Sequence, residues 1–329
     1  MTIENLTNII GGTIINQPKV AKVDAATIYQ SKVELGDLFF ALSSEDIEKA
    51  VEKGAYAVVF EGANPQITDS EIAYIKVDSI KDASIKFLRY ILVQKESQIY
   101  YFEDIESSFL KQIVNRKSSI YTILSNNWQK SFETILNSNY EIYITINKED
   151  ASALSPNYKT LTKEASGYII SDSLLKTTFK IEKYIYQNMD IAPFFVDNLK
   201  KVVAFCKDND IEYDINRIKY TSEFKPYYVD KKLNLSQKGS TEQVLIFVNS
   251  TKIVDKSIKY LRLQSKWIKS IVLTPPKIKL ETIERATWYK TPQEAKEILL
   301  NNHFNYAFCY KLEPKEIINI NGEDGLTLF

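Results

Sequence analysis

The order of apolar and polar positions predicts alternating strands and helices along most of the chain. Residues 37–42 are a short apolar run entered by Gly36, the pattern of a buried strand. Ser43 and Ser44 stand where a helix cap is expected, and Ile47, Ala50 and Val51 follow at i, i+3 and i+4. Gly54 is placed to end that helix with a positive φ, and residues 55–60 make a second buried strand. Strand, helix and strand in so short a stretch imply a parallel pair with a right-handed crossover. Residues 73–77 predict another strand, and 80–93 a helix with Ala83, Phe87, Tyr90 and Ile91 on one face.

The alternation continues. Strands at 98–102, 119–124 and 141–146 enclose helices at 107–114 and 128–136, which means α/β with a parallel sheet. Residues 167–186 turn to alternating strands, and 193–207 make an amphipathic helix with Asp208 and Asp210 at its solvated end. The polar stretch 234–242, with Gly239, reads as a linker. A last α/β unit has strands at 244–248, 270–273, 287–289 and 306–312, with helices at 254–263 and 292–300. Pro292 suits the first turn of the final helix. The domains expected from this pattern are 1–96, 97–240 and 241–329.

Composition narrows the function classes. A chain of 329 residues exceeds the size at which one core usually stops growing, so more than one domain is expected. Lys plus Arg and Asp plus Glu balance at 42 each, which argues against a nucleic-acid or membrane-surface role. The first ten residues lack a charged leader before an apolar stretch, and no apolar run approaches the roughly 18–20 residues of a membrane span. Cys206 and Cys309 both fall in apolar patterns and read as free buried thiols, so a reducing, cytoplasmic setting is expected.

One segment carries a family resemblance. Val33-Glu34-Leu35-Gly36-Asp37-Leu38-Phe39-Phe40-Ala41-Leu42, the helix after it, and Glu52-Lys53-Gly54-Ala55-Tyr56-Ala57-Val58-Val59 resemble the N-terminal domain of the Mur ligases. Within that family the run is similar to the MurE/MurF-like enzymes, which add amino acids or a dipeptide to UDP-N-acetylmuramoyl-peptides in peptidoglycan synthesis. The resemblance implies three small α/β domains in Mur-ligase-like order, the first holding the UDP end of the substrate. The family does so with a Thr/Ser-Asp-Ser-Arg motif, which here reads Ile28-Tyr29-Gln30-Ser31, so Tyr29 replaces the Asp and Ser31 the Arg. The family's second loop is shortened, because Ser43-Ser44-Glu45 leads straight into the helix. The resemblance therefore puts any retained ligand contact at Thr27, Gln30, Ser31, Lys32 and Ser43. Apart from Lys32 these are neutral, fit to hydrogen-bond a uracil or ribose but not to neutralise a diphosphate.

The family also implies an ATP loop, Gly-x-x-Gly-Lys-Thr/Ser, after the first strand of the middle domain. Such a loop needs glycines so that backbone N–H groups can wrap the phosphates. Here that strand runs into Glu103-Asp104-Ile105-Glu106-Ser107-Ser108, and no glycine occurs between Gly62 and Gly167. Glu103, Asp104 and Glu106 suit a helix N-terminus as solvated acids and repel a triphosphate. Asn126-Asn127-Trp128 falls where the family has an Asn-rich loop, a trace of descent. His303, the sole histidine, reads as a surface residue just past a helix; it rules out a multi-histidine metal site and argues against a Ser/His/Asp triad. The middle domain is thus expected to be degenerate, with no cofactor and no metal. Three functions stay open: a non-catalytic binding or scaffold protein in peptidoglycan precursor synthesis, a ligase with an unfamiliar site, and an unrelated interaction module on the same fold. The first is the economical one. It expects a UDP-N-acetylmuramoyl-type ligand or peptidoglycan-synthesis proteins as partners, without nucleic acid and without membrane insertion.

Overall fold

A computed structural model describes residues 1–114, 119–264, 267–281 and 286–319. Contacts gather the chain into two compact units, Met1–Glu103 with Arg116–Leu161, and Asp104–Asn115 with Thr162–Phe329.

The first unit opens with α1 (Ile3–Ile10), β1 (Thr13–Ile14), β2 (Ala26–Thr27), β3 (Leu38–Phe40), α2 (Glu45–Glu52), β4 (Ala57–Phe60), β5 (Ala73–Lys76) and α3 (Ile80–Gln94). Among the described residues its sheet runs β1-β5-β4-β3-β2, parallel from β5 to β2 with β1 antiparallel at one edge. β3 and β4 are buried along their whole length, as strands covered on both faces must be. A second, parallel sheet follows, built from β6 (Gln98–Tyr101), β7 (Tyr121–Ile123), β8 (Ile142–Thr145) and β9 (Lys159–Thr160) in the order β7-β8-β6-β9. Its crossovers hold α4 (Asp104–Ile113), which belongs to the second unit, α5 (Trp128–Asn137) and α6 (Lys148–Leu154). One core joins the two sheets, with Phe40 of β3, Phe87 of α3 and Phe132 of α5 in mutual ring contact.

α5 is fixed at both ends. Asn127 caps it by accepting the Lys130 N–H at 3.1 Å. The Lys95 ammonium donates to the carbonyls of Ile135, Leu136 and Ser138 at 2.7, 3.0 and 2.6 Å, closing the carboxyl end with a cation on the negative pole of the helix.

In the second unit β10 (Gly167–Asp172), β11 (Thr177–Ile181) and β12 (Tyr184–Met189) form an antiparallel sheet. A 3-10 turn, Pro193–Phe195, leads into α7 (Val196–Asp208), which packs on α4. The remaining sheet uses β13 (Lys225–Val229), β14 (Gln243–Val248), β15 (Ser270–Thr274), β16 (Thr287–Trp288) and β17 (Tyr306–Tyr310), with α8 (Thr251–Gln264), α9 (Pro292–Asn301) and α10 (Pro314–Ile317). Its order is β13-β14-β17-β15-β16, parallel except for β13.

Two expectations need correction. The stretch 234–242 is not a linker: it connects β13 to its antiparallel neighbour β14, and Leu235 bridges back to Val229. Residues 225–229 therefore belong to the C-terminal sheet. Glu106 is not a solvated acid either, since it is buried on α4 and accepts from the Asn198 side chain at 3.2 Å, while Glu103 and Asp104 are exposed. Both cysteines are free and buried as expected, and burial pushes the Cys206 thiol up to about 12. His303 is exposed just beyond α9.

Candidate functional site

The segment that the resemblance singles out lies between β2 and β3. β2 is two residues long, and Thr27, at its carboxyl end, pairs beside Phe39 of β3. A 3-10 turn, Gln30–Lys32, follows and returns the chain toward β3. Thr27 is 5% exposed, whereas Ser31 and Lys32 face solvent and Gln30 is half-buried. The Lys53 ammonium, at the end of α2, donates to the carbonyl oxygens of Gln30 and Ser31 at 3.3 and 3.0 Å and holds the turn from outside. Ser43 does something else: its hydroxyl accepts the N–H of Glu45, the first residue of α2, at 3.2 Å, one position before the Ser44 cap. Four of the five residues, Thr27 to Lys32, thus form one group, and Ser43 serves a helix start.

The residue that completes this group is Glu133 of α5, over a hundred positions away. One carboxylate oxygen accepts the Thr27 hydroxyl at 2.7 Å and the Ile28 N–H at 3.0 Å. The other accepts the Lys32 ammonium at 2.9 Å and the Asn137 amide at 3.2 Å. The Glu133 side chain is 8% exposed against 55% for Lys32, so a buried carboxylate meets a cation that still touches water. Lys32 also sits over the Tyr29 ring, 5.2 Å from its centroid.

A second carboxyl nearby is electrostatically strained. Asp37 is 7% exposed, and burial raises its pKa, opposed by the Glu34 N–H bond at 2.9 Å and reinforced by the charges of Glu34, Asp24 and Glu133. A carboxyl raised on folding favours the folded state when protonated, and that contribution is lost as pH rises through its folded pKa. Asp37→Asn keeps an acceptor for Glu34 without the charge. It should raise the melting temperature near neutral pH, with the gain shrinking towards pH 4, as melts across that range will read. A gain independent of pH would mean that charge is not the cause.

A cavity of about 30 Å³ opens at the carboxyl ends of β7 and β8, lined among others by Lys81, Leu124, Trp128, Thr145 and Asp150. That is room for about two waters, in a mostly apolar surround. Where the resemblance implies the ATP loop, β6 ends at Tyr101 and α4 begins at Asp104, leaving Phe102 and Glu103 as the whole connection. Among the described residues no group of three or more His, Cys, Asp or Glu is arranged to hold a metal, and no helix is long and apolar enough to cross a membrane.

No protein-family model matches the sequence, and no curated protein does. Solved structures do. The chain is similar to a crystal structure of MurF from Acinetobacter baumannii, with a TM-score of 0.52 at 12% identity over 96% of each chain. It is also similar to MurF ligase from Thermotoga maritima in complex with ADP, with a TM-score of 0.50 at 12% identity over 89% of this chain and 95% of that one. The fold is therefore Mur-ligase-like, an α/β architecture with several parallel-rich sheets and helices.

Proposed function

We propose that this chain is a non-catalytic protein of Mur-ligase-like fold with a binding or scaffold role in peptidoglycan precursor synthesis. The observation that carries the reading is the two-residue connection from β6 to α4. A phosphate-cradling loop needs several residues between strand and helix, glycines for its backbone nest, a Lys for the terminal phosphates and a Ser/Thr for Mg²⁺. Phe102 and Glu103 supply none of these. The first turn of α4 carries Asp104 and Glu106, acids that already complement the positive end of the helix. The Thermotoga ligase was solved with ADP; the short, glycine-free step from β6 to α4 supports the reading that this chain does not hold such a nucleotide there. Its partners are then UDP-N-acetylmuramoyl-type molecules or other proteins of that synthesis.

Calorimetry with MgATP on the purified chain tests the reading. No saturable heat is expected up to millimolar nucleotide. Micromolar binding that disappears on chelation of Mg²⁺ would show a working site elsewhere and would restore the ligase reading.

A further inference from the structure

We propose that Thr27, Ile28, Lys32 and Asn137 form an oxyanion-binding site for a carboxylate or phosphate group, and that the chain fills this site with its own Glu133. Both oxygens of Glu133 are doubly bonded, one by a hydroxyl and a backbone N–H, the other by an ammonium and an amide. This is the donor set a free carboxylate or phosphate asks for: a cation for charge, and fixed neutral donors for direction. Three of the four donors come from consecutive elements of the first sheet, β2 and the turn after it, and not from the helix that carries Glu133. They are held independently of α5, since the Tyr29 N–H donates to Thr27 Oγ1 at 3.2 Å and Lys53 grips the turn from the other side. Lys32 is more than half exposed, so the site has a side through which an ion can arrive.

The inference does not depend on whether the chain uses ATP. A purely structural ion pair makes a different prediction. Replacing a structural carboxylate leaves donors that only water can serve, and no added solute restores them specifically. A true oxyanion site accepts the missing group from solution, and what it gains depends on Lys32. In the intact chain an external anion has to displace Glu133, which is tethered at high effective concentration, so it binds poorly. The contact is an internal competitor: an anion that wins takes the place of the Glu133 carboxylate, with Asn137 of α5 still among its donors.

The test compares the full chain, Glu133→Ala and the double variant Glu133→Ala with Lys32→Ala. Melting temperature and the amide resonance of Ile28 are followed in chloride, acetate and inorganic phosphate at matched ionic strength. Glu133→Ala should gain several degrees in tens of millimolar acetate or phosphate, and its Ile28 resonance should move back towards the wild-type position. The wild-type chain should shift by a degree or less, and the double variant should lose at least half of the response. A response to acetate alone identifies a carboxylate site, and one to phosphate alone a phosphate site. Should Glu133→Ala not fold in chloride, the response read is recovery of its folded spectrum in acetate or phosphate, and a variant that folds in none of the three salts overturns the proposal. A folded variant that responds to neither anion more than wild type does, or responds undiminished without Lys32, overturns the proposal.

Discussion

Phe132→Ala should cost the first unit about 4 kcal/mol, the size expected for truncating a fully buried aromatic ring that the surrounding core cannot follow. The ring is 0% exposed and stands edge-on to Phe40 at 5.2 Å, with Phe87 at 6.4 Å. Phe40 and Phe87 also touch each other at 5.5 Å, so the three rings close a triangle among β3, α3 and α5. Each aromatic pair adds roughly 0.5–1.5 kcal/mol beyond the area it buries. The cavity cannot fill by collapse, because Phe40 sits on a strand paired on both sides and α5 is pinned by Asn127 and Lys95. Urea unfolding with hydrogen exchange at the β3 and β4 amides separates this unit from the other. A loss below about 1 kcal/mol at those amides would mean that the ring is not the joint between the sheets.

Much of this architecture was legible because the buried strands write themselves as apolar runs. β3, β4 and β14 are buried at every position, and their helices show a one-sided stripe. What escaped has identifiable causes. β1, β2 and β9 are two residues long, too short for any period to register. β13 reads Lys-Pro-Tyr-Tyr-Val, and a proline argues against a strand until it proves to be at the edge of its sheet, where Pro226 forfeits little. That edge position also explains why a polar hairpin connection passed for a linker. α4 starts three residues before its apolar pattern, because its first turn is acidic and the sequence marks it only by charge.

The site was legible only in half. Family resemblance pointed to Thr27, Gln30, Ser31 and Lys32, which the fold does bring together at one turn. It also pointed to Ser43, whose hydroxyl is taken up by the Glu45 N–H at the start of α2. Glu133 carried no local signal. On α5 it flanks the stripe of Trp128, Phe132, Ile135 and Leu136, where a charge is ordinary on a helix that borders solvent. Only the packing of α5 against β2, which brings Glu133 to Thr27 across a separation of 106 positions, turns that flank into the most heavily bonded carboxylate of the group. Long-range pairing of this kind has no period and no motif.

Gly54→Val should destabilise the first unit by about 3 kcal/mol, combining left-handed backbone strain of about 1–2 kcal/mol with a steric overlap. Gly54 has φ +97° and follows α2 as the residue beyond its cap. Its N–H donates to the Val51 carbonyl at 2.9 Å, and the next N–H, of Ala55, reaches back to the Ala50 carbonyl at 3.0 Å. This pair of bonds closes the helix and requires the left-handed residue between them. The same glycine accepts the Gly36 N–H at 2.9 Å, so the turn entering β3 hangs on it as well. A Cβ at this position would stand 2.8 Å from Leu35 Cδ1 and 3.2 Å from Leu35 Cα. The exposed Leu35 side chain can swing aside, but its Cα cannot. Gly54→Asn separates the two costs, since Asn tolerates the left-handed region while keeping the Cβ overlap. Asn should therefore lose about half as much as Val in urea unfolding. Equal losses would assign the whole effect to the contact with Leu35, and an unchanged melting temperature in both would mean that α2 does not end here.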